Sequence, residues 1–112
     1  MNVAALRPGP TNVQHFRRDR LNFVPATSGC YVLAALDGCV LYAGLTINLR
    51  ARMEQHLDTP EKRAVTRHGR ALHFHWLETE ALAAVERGWL NSHVALTGEL
   101  PILNKVASAM SS

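Results

Sequence analysis

The chain is poor in cysteine, has no long apolar run and carries no low-complexity tract. Its 112 residues include two cysteines, Cys30 and Cys39. They flank a hairpin, where a cross-strand bridge is conceivable, but in a chain able to bury a core they read as reduced, semi-buried apolar groups. No apolar stretch approaches the ~18 to 20 residues that span a bilayer. The segment Met1 to Pro10 lacks a hydrophobic run bounded by a small-residue cleavage site. The expectation is a soluble, reducing compartment, the cytoplasm, with no membrane partner. No repeat and no linker divides the chain, which therefore reads as one domain. A phosphate-binding Walker loop and a Ser/His/Asp arrangement are both missing.

What is present reads as globular. Hydrophobic residues make up 47% and charged residues 19%, a balance that supports a core. Twelve Lys+Arg against nine Asp+Glu leave +3 with histidine neutral, and the pI is about 9.3. Mild basicity suits a polyanionic partner without demanding one.

Residues 1–26 read as an irregular basic arm, broken by Pro8, Gly9 and Pro10, with basic side chains including Arg17 and Arg18. Tyr31 to Leu36 and Cys39 to Ala43 are β-branched, aromatic and aliphatic, and Asp37-Gly38 between them predicts a tight hairpin. Tyr31 and Tyr42 then fall at one end of it. After Gly44 the period changes. Thr46 or Asn48 can cap a helix over 49–57, whose Leu49, Met53 and Leu57 form a buried stripe. Arg52 and His56 stack along its edge. Residues 61–70 read as a loop or irregular helix. Leu72, Phe74 and Trp76 alternate with His73, His75 and Leu77 as in a half-buried strand. Thr79 caps a second long helix carrying Glu86, ended by Gly98 and Pro101. The fold class expected is α/β (α+β): a three-stranded antiparallel sheet flanked by helices, spanning 27–105, with a flexible tail over 106–112.

Gly29-Cys30-Tyr31 and Tyr42-Ala43-Gly44, followed in order by Arg52, His56, Glu86 and Asn104, resemble the GIY-YIG nuclease family. The ordered set is far more specific than either triplet. The resemblance implies a metal-dependent endonuclease acting on nucleic acid, with DNA favoured over RNA. It implies Mg²⁺ or Mn²⁺ at Glu86, Arg52 on the scissile phosphate, and Tyr31 as base or water-positioning group with His56 accepting its proton. Tyr42 would orient water or phosphate, and Asn104 would support the site by hydrogen bonds. An unperturbed phenol, with a pKa of about 10, needs help to act as a base at neutral pH.

Cys30 and Ala43 stand where the family has aliphatic residues, and Leu45 where it often has a polar or basic one. Arg17, Arg18, Arg50, Lys62 and Arg63 are candidates for following a phosphate backbone. No recognition domain is legible, so sequence preference would come from a homodimer or an accessory subunit. A spacing like that of His73 and His75 can serve zinc, but no further ligands complete a site. Two other functions fit the same fold: a non-catalytic nucleic-acid-binding module and a protein-interaction domain.

Overall fold

A computed structural model describes residues 1–104; the tail expected over 106–112 lies outside the described residues. The order is β1 (Asn12–His15), β2 (Gly29–Ala34), β3 (Val40–Thr46), α1 (Leu49–Leu57), α2 (Pro60–Arg63), β4 (His73–Glu78) and α3 (Leu82–Thr97), with short 3-10 turns at Val3–Ala5 and Arg18–Phe23. The sheet is antiparallel and has four strands, in the order β1-β4-β2-β3. Three were expected. The fourth comes from the arm expected to be irregular: Asn12 to His15 pair with Trp76 to His73 and cover what would be the open edge of β4. A four-residue strand with mostly exposed side chains gives little sequence signal, and its place is fixed by the partner's free ladder groups.

Side chains alternate across β2 and divide the core in two. Tyr31 and Leu33 point to the face that carries Leu49, Met53 and Leu57 of α1. Cys30 and Val32 point to the other face, under Val85 and Trp89 of α3. Asn48 caps α1, its side chain accepting from Ala51 N at 3.0 Å. The backbone N–H groups of Leu49 and Arg50 reach back to the carbonyls of Thr27 and Pro25. Thr79 does not cap α3, which starts at Leu82; its hydroxyl instead accepts from Ala81 N.

The hairpin differs from the expected two-residue turn. Ala35 N donates to Cys39 O and Gly38 N to Ala35 O, leaving three residues in the loop. Only Gly38 takes positive φ (+89°), while Asp37 stays in the ordinary region and accepts from Cys39 N. The ladder then slips, so that Leu41 is extra between the pairs Leu33–Tyr42 and Ala34–Val40. Cys30 stands opposite Leu45 and Cys39 opposite Ala35, at opposite ends of the hairpin, and both are free thiols. Leu36 and Leu72, expected in strands, lie outside them and are exposed. Among the described residues no helix is long and apolar enough to cross a membrane.

Candidate active site

The hairpin slip aligns the two triplets. Tyr31 pairs with Gly44 and Tyr42 with Leu33, so the two phenols share a face on adjacent strands, their ring centroids 5.9 Å apart. Gly44 makes this possible: a Cβ there would stand 2.7 Å from the Tyr31 hydroxyl oxygen and 2.9 Å from Cζ. Gly29 has a different duty, since a Cβ there would meet the Leu77 carbonyl of β4 at 2.6 Å.

α1 lays its Arg52–His56 edge over this pair. The Tyr31 hydroxyl lies 2.6 Å from His56 Nε2, and the His56 ring meets Tyr42 edge-on with centroids 5.1 Å apart. Burial pushes the Tyr31 phenol well above its usual range, Tyr42 adds to the rise, and the neighbouring Arg52 guanidinium opposes it. Burial also pushes His56 down to about 3, reinforced by the charges of Lys62 and Arg52. At neutral pH the phenol is therefore the donor and the uncharged imidazole the acceptor through Nε2, with its proton on Nδ1. Tyr31 is wholly enclosed, 0% exposed, whereas Tyr42 is only half-buried. The resemblance makes Tyr31 the base or water-positioning group, with His56 accepting its proton; the structure places its hydroxyl against His56 Nε2 and closed to solvent.

Lys62 stands in the same cluster. It was expected on the surface, yet it is 5% exposed, with Nζ 4.8 Å from the centroid of the Tyr42 ring. Thr59 and Pro60 end α1 and start α2, which folds back beside it; Arg63 Nη1 reaches the Leu57 carbonyl at 3.4 Å. The sequence signal was weak: a lysine just past a helix-stopping Thr-Pro has no periodicity to show which way it points.

Glu86 and Asn104 approach from elsewhere. Glu86 lies on α3, beside Cys30, on the sheet face opposite the phenols. Burial raises its carboxyl and Arg87 opposes the rise. Asn104 sits at the outer edge of β3, where its side chain accepts from Ala43 N at 2.8 Å and donates to Ala43 O at 2.9 Å. β3 is an edge strand, so the two faces meet along it. Tyr42 lies on one face of it, the helix that carries Glu86 packs on the other, and Asn104 closes the outward backbone groups of Ala43.

The remaining basic candidates are largely engaged. Arg17 pairs with Asp19 at 2.8 Å, Arg18 pairs with Asp58, and Arg50 Nε donates to Val24 O at 2.7 Å. His15 brings a third imidazole to His73, with centroids 5.3 Å apart. Among the described residues, however, no group of three or more His, Cys, Asp or Glu is arranged to hold a metal ion. That includes the surroundings of Glu86. A hard cation needs no such cage, because one carboxylate with substrate oxygens and water can hold Mg²⁺. A carboxylate drawn partly out of water, and outside the three ion pairs among the described residues, suits that part.

No curated relative matches the chain. The model of the GIY-YIG catalytic domain matches residues 27–98, more than half the length, and stops short of Asn104. Domains of this family are nucleases that act on nucleic acid, generally with a divalent metal. With both triplets aligned on one hairpin and the match running through Glu86, the chain belongs to the GIY-YIG catalytic domain family.

Proposed function

We propose that the protein is an endonuclease that hydrolyses DNA phosphodiester bonds with Mg²⁺ or Mn²⁺. The observation that carries this is the packed cluster of Tyr31, Tyr42 and His56 beside Arg52, on the hairpin that bears both triplets. Hydrolysis adds water across a P–O ester bond, so a site must orient water, neutralise the phosphate oxygens and stabilise the leaving oxygen. Arg52 supplies a fixed fork of donors suited to phosphate. Tyr42, the half-buried phenol, is placed to orient the water. Tyr31 and His56 hold it from beneath, and Asn104 stiffens the strand that bears it. Glu86 would hold the cation, which supplies charge neutralisation.

Arg17 and Arg18 would serve as backbone contacts, since exposed ion pairs are weak enough for phosphate to displace; Arg50 and Arg63, bonded to the carbonyls of Val24 and Leu57, would add to them. A homodimer or an accessory subunit would supply sequence preference. Two free thiols suit the cytoplasm.

A plasmid-nicking assay with Mg²⁺ or Mn²⁺ tests this. Parent protein should convert supercoiled to open-circle DNA, and Arg52→Ala and Glu86→Ala should each lose the activity with folding intact. A parent that cleaves no DNA or RNA, yet binds DNA with steep salt dependence, would be the non-catalytic binding module instead. Binding indifferent to salt would favour protein contacts.

A further inference from the structure

Lys62 is the one basic candidate whose charge is turned inward. Lysine is almost never buried unless it is paired. Here the side chain is 5% exposed, and none of the three ion pairs among the described residues includes it. Its ammonium stands 4.8 Å from the Tyr42 ring centroid, at cation–π distance. Tyr42 is thereby held by three neighbours at once: Lys62 at the ring, Tyr31 stacked at 5.9 Å and His56 edge-on at 5.1 Å. The positive charges of Lys62 and Arg52 both act on His56, while Glu61, on the short helix of Lys62, is the carboxylate that acts on the ammonium.

We infer that Lys62 is a positioning residue of the nuclease site, fixing the Tyr42 phenol through its ring against Tyr31 and His56. The inference rests on the nuclease function proposed above. It differs from the ordinary role of a basic residue in such a protein, which is to grip phosphate from the surface. A surface grip contributes to binding and to its salt dependence. A positioning role contributes to turnover, because a small misplacement of a reacting group costs rate rather than affinity.

The test compares parent, Lys62→Met and Lys62→Arg in plasmid nicking and in DNA binding across a salt series. Lys62→Met should lower kcat about 10- to 100-fold with KM little changed. The salt slope of binding should stay at the parent value. Lys62→Arg should recover much of the rate, since a guanidinium also stacks on an aromatic face. Parent-like turnover in Lys62→Met overturns the inference. So does a loss confined to KM with a slope shallower by about one, the mark of a phosphate contact.

Nuclear magnetic resonance separates this inference from the nuclease function. In Lys62→Met the Tyr42 ring signals should move and the His56 titration midpoint should rise, whether or not the parent cuts DNA. Unchanged Tyr42 and His56 signals overturn the role of Lys62 even if the parent nicks. Changed signals in a parent that never nicks leave the contact standing and remove only the nuclease.

Discussion

The Tyr31 hydroxyl donates to Nε2 of His56 across 2.6 Å, inside the core rather than at the surface. Because burial holds the folded imidazole down to about 3, the unfolded chain takes up a proton that the folded chain refuses. The stability from this histidine is thus complete above its ordinary value of about 6.5 and is lost as pH falls. Each pH unit in that window costs about 1.4 kcal/mol at most. Urea unfolding at pH 7 and pH 5 should show the parent losing stability, and His56→Gln should show a visibly shallower loss. Tyr31→Phe, which leaves the imidazole without its donor, should cost about 1–3 kcal/mol at pH 7.

Gly44 is the contact point between the two triplets. A Cβ there meets the Tyr31 hydroxyl oxygen at 2.7 Å and its Cζ at 2.9 Å, and the phenol has nowhere to go because its other sides hold Phe74 and His56. Gly44→Ala should therefore destabilise the fold by about 1–3 kcal/mol, read as a lower urea midpoint with an unchanged m-value. It should also displace the Tyr31–His56 hydrogen bond, visible as a shift of the His56 ring signals.

Glu86 carries the metal prediction. Its folded pKa is raised by burial, so the ionised form is disfavoured by folding and Glu86 stabilises the protein less as pH rises through its titration. A bound cation reverses that. Mg²⁺ should raise the Tm of the parent, by an amount that grows with the logarithm of its concentration above Kd. Glu86→Gln should melt at or above the metal-free parent, gain nothing from Mg²⁺, and lose about 100-fold or more in nicking. A Glu86→Gln variant that Mg²⁺ still stabilises as it does the parent would move the cation elsewhere.

How much of this was legible beforehand depends on the residue. Leu49, Met53 and Leu57 announce α1 through their spacing, and Asn48 caps it as the sequence suggests. Those signals are local. Strand β1 was not legible, because its side chains are exposed and its reason for existing is the vacant ladder of β4, far away in sequence. The ordered positions from Tyr31 to Asn104 pointed to a candidate site, but not to which phenol is buried. That depends on the Leu41 bulge and on α1 crossing above, neither of which a triplet encodes. Lys62 was misread for a related reason: burial of a long charged side chain is decided by the helix turn at Thr59-Pro60 and the ring beneath it.

Asn104 offers the most selective test of the edge strand. Its amide accepts from Ala43 N and donates to Ala43 O, filling both hydrogen-bonding positions of a residue that no other strand covers. Asn104→Ala leaves both groups to water and should cost about 1–3 kcal/mol. Asn104→Asp keeps the acceptor but sets a carboxylate against the Ala43 carbonyl. At pH 7 it should be at least as destabilising as alanine. Near pH 4 a protonated acid can donate again, and its deficit relative to the parent should shrink while that of Asn104→Ala stays constant. If Asn104 serves only the fold, cleavage by both variants should follow the folded fraction. If it also holds Tyr42 in place, their kcat should fall under conditions where circular dichroism reports them fully folded.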